Sequence, residues 1–344
     1  MNLPECVESE EQLDDLLSRP SPALVEFARG LTGTVAVIGV GGKMGTTFAA
    51  RLNRAIREAG ADARVVGVSR FSESSRQAEL GRLGIQTIAA DVMEPAQVDA
   101  LPESEYVIYL VGRKFGTTGN EAETWATNTL PPVHVCRRYT GRPVVALSTG
   151  SVYGLSPVGS GGSAESCATE PRGEYANAAV GRERLFQWAS QRYSTPVCLI
   201  RLFYANDLRY GVIRDLADAI MENRAIDLSM GCVNLIWQGD AVDQSLRALE
   251  HAAVPARPIV VAGPETVSIR SLAARLAELL DREPVFVNES AADALLGNAS
   301  FATSLFGYPE VPLEHMIRWT AHWVSSGGRG LGKPSHWEVR DGRY

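Results

Sequence analysis

The architecture of this chain is indicated most clearly by VAVIGVGGKMG, residues 35–45. The β-branched run before Gly39 is typical of a buried parallel strand, and residues 46–52 continue in a helical pattern. Glycines 39, 42 and 45 suit a tight turn, a close approach of the backbone to a pyrophosphate, and close packing of helix on strand. Free N–H groups and the helix dipole favour phosphate charge there. We therefore predict a dinucleotide-binding turn; a plain turn that binds nothing is the alternative.

Strand-like and helix-like segments alternate after this turn. Predicted strands are 34–39, 64–69, 85–90, 106–111, 143–148 and 196–202. Predicted helices between them are 44–59, 73–83, 121–138 and 174–193. Repeated β–α–β units require a parallel sheet that is covered on both faces. The fold class is therefore α/β, a doubly wound, Rossmann-like parallel sheet.

The chain divides into three predicted regions. Residues 1–33 form an N-terminal helical extension; for its first few residues, disorder is the alternative prediction. Residues 34–203 form the dinucleotide-binding domain. Residues 204–344 form a smaller α/β substrate-binding region with interleaved elements, where Ser268 is a plausible helix N-cap. The tail after residue 325 has no periodicity, so we expect it to wrap the surface.

Composition excludes several classes of protein. The 344 residues are 45% hydrophobic and carry a formal net charge of −7, which argues against a nucleic-acid or anionic-membrane surface. No apolar run approaches the ~20 residues that span a bilayer, and the N-terminus lacks a signal-peptide pattern. The five cysteines are scattered and no cluster has metal-ligand spacing. We expect a cytoplasmic protein with reduced cysteines and no intrinsic metal.

The end of the second strand bears on the choice of cofactor. An acidic residue there would bind the adenosine ribose hydroxyls, but Ser69-Arg70 offers a guanidinium instead, which favours NADP over NAD. Alternatively, Arg70 is an exposed loop residue and NAD binds through other groups. Asp91, which closes the third strand with Val92, is placed to accept from the adenine amino group or to cap a helix.

Further along the chain, several motifs occur in one order. They are Gly39-x-x-Gly42-x-x-Gly45, Ser148-Thr149-x-x-Val152-Tyr153-Gly154, Tyr175 with Glu183, Arg201-Leu202-Phe203, residues 234–242 and residues 263–270. With these motifs, residues 34–325 resemble the extended short-chain dehydrogenase/reductase family, the NAD(P)-dependent sugar epimerases and dehydratases. The resemblance implies a small sugar-like substrate and a homodimer built from helices 121–138 and 174–193.

The resemblance also implies roles for individual residues. Tyr175 would be the general acid/base, and Thr149 would hydrogen-bond the same substrate oxygen. The implied cofactor site contains Gly39, Gly42, Lys43, Met44, Gly45, Ser69, Arg70, Asp91, Val92, Val111, Gly112 and Tyr175. The expected substrate-facing residues are Ser151, Tyr153, Arg201, Asn206 and Arg209, with Tyr210 beside them.

One position departs from the family pattern. The family's lysine, four residues after the tyrosine, would fall at position 179, which is Ala179. The pKa of an unperturbed phenol is about 10, so it needs a neighbouring cation to act as a base near neutral pH. Arg182 lies one helical step further on, and Lys114 follows the fourth strand at its carboxyl end; we favour Lys114.

We consider two functions for this chain. The first is an NAD(P)-dependent oxidoreductase or epimerase that acts on a sugar or sugar-derived hydroxyl or ketone, with Tyr175, Thr149 and Lys114 as catalytic residues. The second is a cofactor-binding protein with a decayed catalytic site, a redox sensor or an interaction partner, which the alanine at position 179 motivates.

Overall fold

The computed structural model describes residues 3–72, 74–114, 116–117 and 119–343. The described helices are α1 (Glu10–Ser18), α2 (Pro22–Ala28), α3 (Gly45–Ala59), α4 (Ser74–Arg82), α5 (Pro95–Asp99), α6 (Glu121–Arg138), α7 (Gly173–Tyr193), α8 (Val212–Met221), α9 (Gln238–Arg247), α10 (Ile269–Leu280), α11 (Ser300–Phe306) and α12 (Leu313–Ser325). Expectations for residues 1, 2, 73 and 344 lie outside the described residues.

Seven strands form the central sheet. They are β1 (Gly33–Ile38), β2 (Ala63–Ser69), β3 (Gln86–Ala89), β4 (Tyr106–Tyr109), β5 (Val144–Leu147), β7 (Val197–Leu202) and β12 (Arg257–Val261). The remaining strands are short pairs, β6 (Ser156–Pro157), β8 (Ala205–Asn206), β9 (Ile226–Asp227), β10 (Cys232–Val233), β11 (Ile236–Trp237), β13 (Val267–Ser268), β14 (Phe286–Val287) and β15 (Asp293–Ala294). The sheet order is β12-β7-β5-β4-β1-β2-β3, and each neighbouring pair is parallel. This confirms the predicted Rossmann-like fold.

The strand order reverses direction between β1 and β4. Successive strands from β1 run outward to β2 and β3 on one side, and from β4 to β5 and β7 on the other. In open α/β sheets, ligands bind at the carboxyl ends of the strands at such a switch point. The glycine turn follows β1, so the topology places it at this crevice.

Residues after position 204 contribute to two layers. β12 adds the seventh strand beside β7, with Ile259 opposite Ile200. Helices α8, α10 and α12 pack together around a separate apolar cluster that includes Trp237 and Trp319. Ser268 caps α10 by accepting from the N–H of Ser271 at 3.4 Å, as predicted. This region forms the second wall of the crevice.

The N-terminal extension packs on both parts of the protein, α1 on the apolar cluster of α8, α10 and α12 and α2 on the core of the sheet domain. Ser9 and Ser21 cap α1 and α2, and Leu13, Leu16 and Leu17 of α1 are buried. Ser21 also donates its hydroxyl to Asp243 at 2.9 Å, and Asp243 lies beside the buried Arg51 of α3. The extension is therefore anchored to α3 and α9. Among the described residues, no helix is long and apolar enough to cross a membrane.

We expect Gly45→Ala to destabilise the protein, because a Cβ at position 45 would overlap the carbonyl oxygen of Val40. The Val40 carbonyl belongs to the backbone of the turn and the Cβ is fixed to the backbone of α3, so the overlap cannot be relieved cheaply. A loss of about 3 kcal/mol in the free energy of unfolding is expected from urea denaturation. Gly81→Ala in α4 is the matched control, since its Cβ would meet no atom within 4 Å. Equal effects of the two substitutions would contradict this account.

Candidate functional site

A cavity of about 430 Å³ lies over the carboxyl ends of the first four strands. The cofactor-site residues that line it are Gly39, Gly42, Ser69, Arg70, Asp91, Val92, Val111 and Gly112. Gly39 has φ +89°, and a Cβ there would come within 3.0 Å of the backbone nitrogen of Val111. The glycine turn thus lets the backbone pass close to the β4 loop.

The side of this cavity that is formed by the ends of β2 and β3 carries the guanidinium of Arg70. The side chain of Arg70 is 71% exposed and lies 3.8 Å from the Asp91 carboxylate. Asp91 accepts the N–H of Met93 at 3.0 Å, so its side chain shapes the turn after β3. Arg70 therefore remains available to an anion such as a ribose phosphate.

A second cavity, of about 210 Å³, adjoins the first and contains the candidate catalytic residues. Thr149, Ser151 and Tyr175 line it together with Lys43 and Lys114. Thr149 accepts the N–H of Ser151 at 3.1 Å and caps the short 3₁₀ turn after β5. Tyr175 stands in the first turn of α7 and is 8% exposed. The structure therefore brings together the predicted threonine, tyrosine and lysine.

Lys114 lines both cavities, so it lies at their junction. Its Nζ donates to the carbonyl oxygen of Ser335 at 3.1 Å, and burial lowers the pKa of its ammonium to about 8. Ser335 in turn donates its N–H at 2.8 Å and its hydroxyl at 2.5 Å to Asp215 of α8. The C-terminal tail thus crosses the crevice and holds the lysine in place.

Lys43 belongs to the glycine turn but lines the second cavity. Its Nζ lies 3.3 Å from the centroid of the Tyr210 ring, which comes from the opposite wall. The residue is exposed, yet the protein around Nζ lowers the pKa of the ammonium to about 7. Burial raises the pKa of the Tyr210 phenol. Met44 accompanies Lys43 in this cavity wall.

The position of the family's lysine is closed in this protein. Ala179 is fully buried in an apolar cluster with Val152, Phe203 and Val260. Arg182, the other candidate cation, is also buried and donates to Asn128 Oδ1 at 2.9 Å and to the Val111 carbonyl at 3.2 Å. Arg182 therefore supports the β4 loop from behind, and Lys114 is the candidate that reaches the site.

The structure places Arg201 and Tyr153 differently from our expectation of substrate-facing side chains. Arg201 forms a buried ion pair with Glu183, Nη2 to Oε2 2.7 Å, and donates to the Tyr153 hydroxyl at 2.5 Å. Glu183 also accepts from Ser148 at 2.5 Å. Both side chains are buried and fully engaged, so they brace α7 against β5 and β7 behind the cavity.

Asn206 and Arg209 are likewise engaged in the fold. Asn206 is buried and accepts the N–H of Ile213 at 3.2 Å at the start of α8. Arg209 pairs with Glu10 at 3.0 Å and with Asp14 at 2.9 Å. These contacts attach the N-terminal helix α1 to the loop before α8. The sequence does not reveal them, because an arginine in a loop can pair with any acidic side chain that the fold brings near.

Several residues that line the second cavity were not among the predicted site residues. Tyr204 and Ser335 line the second cavity, the first from the loop after β7 and the second from the tail. Phe203-Tyr204 follows a predicted strand, so its position at a strand end was a usable signal. Nothing in the tail's sequence indicates that residue 335 returns to the crevice. No group of three His, Cys, Asp or Glu side chains that could hold a metal occurs in the part of the chain that the structure describes.

Comparisons with known proteins point to one family. The model of the NAD dependent epimerase/dehydratase family matches residues 35–263. No curated protein matches the chain.

Solved structures share the fold at low sequence identity. UDP-glucuronic acid 4-epimerase from Bacillus cereus, in complex with NAD, superposes with a TM-score of 0.69 at 17% identity, covering 85% of this chain and 96% of that chain. UDP-glucose 4-epimerase from Thermotoga maritima, with UDP-glucose, gives 0.69 at 17% identity over 86% and 99%. dTDP-glucose 4,6-dehydratase from Bacillus anthracis, with NAD, gives 0.71 at 13% identity over 85% and 96%.

Proposed function

Because this chain belongs to the NAD dependent epimerase/dehydratase family, we propose that it is an NAD(P)-dependent oxidoreductase or epimerase that acts on a sugar or sugar-derived hydroxyl or ketone. The observation that carries the proposal is the arrangement of the two cavities. Tyr175 and Thr149 line the smaller cavity, and Lys114 lines both it and the larger cavity beside the glycine turn. A substrate oxygen and a nicotinamide would meet at that junction.

The residues of the larger cavity fit a dinucleotide. The turn has the close approaches that its glycines permit: a Cβ at Gly41 would come within 2.6 Å of the Ser69 hydroxyl. The N-terminal end of α3, which follows the turn at Gly45, suits a pyrophosphate through its first N–H groups and the helix dipole. When bound, the nicotinamide supplies or accepts a hydride.

The chain's own residues handle the proton and the orientation of the substrate. The Tyr175 hydroxyl takes the proton from a substrate alcohol, or gives one to a ketone, and the Thr149 hydroxyl holds the same oxygen. The Lys114 ammonium favours the tyrosinate by its positive charge, a role that lysine has in the family. In the reductive direction a neutral Tyr175 donates its proton, so the demand on Lys114 is smaller.

The direct test is cofactor-linked turnover. Purified protein is assayed with NADP(H) and with NAD(H) against neutral sugars, sugar acids, sugar phosphates and nucleotide sugars, and epimer formation is followed by NMR. We expect at least one sugar class to change the cofactor absorbance or to be epimerised. Tight binding of cofactor with no reaction on any class would favour the cofactor-binding alternative.

We propose NADP as the preferred cofactor, because Arg70 offers a guanidinium at the adenosine end of the cavity. Replacing it by alanine should raise the Kd for NADPH about tenfold, which corresponds to one charge-assisted hydrogen bond, and leave the Kd for NADH unchanged. Fluorescence titration measures both constants. Arg137→Ala is the matched control, since Arg137 also pairs with an exposed aspartate, Asp99, but lies away from the cavity. Equal weakening of both cofactors would overturn the preference.

Restoring the family's lysine distinguishes the enzyme from the decayed-site alternative. Ala179→Lys places an ammonium in an apolar cluster, so we expect the free energy of unfolding to fall by about 3 kcal/mol or more, without a gain in turnover. Ala78→Lys, on the exposed face of α4, is the control for adding a lysine to a helix. Urea denaturation and turnover measure the two effects. A stable Ala179→Lys protein with new activity would support a decayed site.

A further inference from the structure

Lysine is rare in this chain, and its distribution is uneven. Lys and Arg together number 33, of which three are lysines, Lys43, Lys114 and Lys333. Lys43 and Lys114 line the Tyr175 cavity, while Lys333 is exposed on the C-terminal tail. The ammonium of lysine is a compact charge whose pKa shifts readily on burial, whereas the guanidinium of arginine stays ionised. Two of the three lysines thus lie where a compact charge faces the proposed substrate.

The side chain of Lys43 leaves the phosphate side of the cleft. Gly39 and Gly42 of its turn line the dinucleotide cavity, but Lys43 lines the Tyr175 cavity. The face of the Tyr210 ring lies 3.3 Å from Nζ and attracts the cation. The ammonium is therefore held at a defined place in the substrate cavity.

The two carboxylates that act on the charge of Lys43, Asp207 and Asp215, also accept hydrogen bonds from other groups. Asp207 accepts the N–H of Arg209 at 2.6 Å, and Asp215 accepts from both groups of Ser335. Loss of water around Nζ and the charge of Lys114 lower the pKa of Lys43, and the charges of Asp207 and Asp215 offset this only in part. An added anion between the lysines would favour the protonated form of both.

The size of the cavity favours a small molecule as the carrier of the anion. Its volume of about 210 Å³ is below the range of roughly 300–1,000 Å³ that holds drug-sized ligands. Ser335 of the tail forms part of its wall and is tied to α8 through Asp215. The space suits a free monosaccharide derivative better than a nucleotide-linked sugar.

On the basis of the proposed function, we propose that the substrate is a monosaccharide-sized molecule with one oxyanion group, a carboxylate or a phosphate. Lys43, assisted by Lys114, binds this group over the Tyr210 ring. Tyr175 and Thr149 face the reacting hydroxyl of the same molecule. Lys43 is thus a specificity-determining residue of the substrate cavity.

The test compares matched ligands on the NADP-loaded protein by isothermal titration calorimetry. The pairs are D-galacturonate with D-galactose, D-gluconate with D-sorbitol, and sugar 6-phosphates with the parent sugars that lack the phosphate. A UDP-sugar is measured as an additional ligand. We expect at least one anionic ligand to bind about tenfold or more tightly than its neutral partner, as a charge-assisted contact implies. Lys43→Met should abolish that difference, and Lys333→Met, the control on the tail, should leave it intact.

Several results would overturn the anion site. They are equal binding within every pair, an unchanged preference in Lys43→Met, and tighter binding of the UDP-sugar than of every small anion. A preference for phosphates over carboxylates, or the reverse, identifies which oxyanion is bound. Weaker NADPH binding in Lys43→Met with the ligand preference intact would assign Lys43 to the cofactor and overturn the proposal.

Turnover of the same panel separates this inference from the proposed function. Reaction with neutral sugars alone would sustain the proposed function and reject the anion site. Lys43-dependent binding of an anion without any hydride transfer or epimerisation would sustain the anion site and reject the proposed function.

Discussion

Tyr175→Phe is expected to lower kcat by about 10²–10⁴-fold, the usual contribution of a positioned general acid/base. The substitution removes only the hydroxyl that takes or gives the substrate proton. Tyr175 is largely buried where α7 meets the cavity, and phenylalanine keeps the ring that packs there. Cofactor titration and steady-state turnover on the same preparation measure the effect. We expect the Kd for NADPH to change less than about threefold, since binding does not require the proton.

Tyr308→Phe is the control for loss of a phenol, because Tyr308 is exposed and lies outside both cavities. It should retain wild-type kcat. Undiminished turnover in Tyr175→Phe would remove this residue from the mechanism. A loss of NADPH binding that parallels the loss of kcat would show that Tyr175 positions the cofactor instead of moving a proton.

Lys114→Met should lower the rate of alcohol oxidation by about 10²-fold or more, because it removes the cation that favours the tyrosinate. Ketone reduction should suffer less, since the neutral phenol donates its proton without assistance. Stopped-flow or steady-state rates in the two directions, measured with one substrate pair, give the comparison. Equal losses in both directions would indicate that Lys114 binds the substrate or cofactor without assisting the proton transfer.

The pH profile provides a second test of Lys114. Burial lowers the pKa of its ammonium to about 8, so in the wild type the charge is present below that pH and is lost above it. Oxidation should therefore decline as the pH rises past about 8. Lys114→Arg keeps a charge at every pH in this range, so any activity it retains should show no such decline. A decline that persists in Lys114→Arg would assign it to another group.

The sheet domain was predictable because local patterns decide its elements. The six predicted strands are observed within about two residues at either end, and helix 121–138 is observed as α6. Buried parallel strands are continuous apolar runs, and the helices between them show their own period, so both signals are local. The edge strand β12 was not among the strands predicted for the sheet, because its pairing with β7 depends on a distant part of the chain.

The candidate site was predictable where residues follow strand ends or belong to motifs, as Thr149, Tyr175 and Lys114 do. It was not predictable where long-range pairing decides a side chain's role. Arg201 forms an ion pair with Glu183, and Arg209 forms ion pairs with Glu10 and Asp14. An arginine shows its charge in the sequence but not its partner. In the sequence, the alanine at position 179 indicates only that the family's lysine is missing. Its burial in the structure shows that the cavity is closed at this position.

By itself, the sequence determined the α/β architecture, the place of the glycine turn at the end of the first strand, and the tyrosine and threonine of the candidate site. Only the tertiary structure decided that Lys43 extends from the glycine turn to the ring of Tyr210, and that Ser335 of the tail holds Lys114. The physical reason is the range of the interactions. Periodicity and turn chemistry act within a few residues, whereas the contact of Lys114 with Ser335 joins positions 221 residues apart.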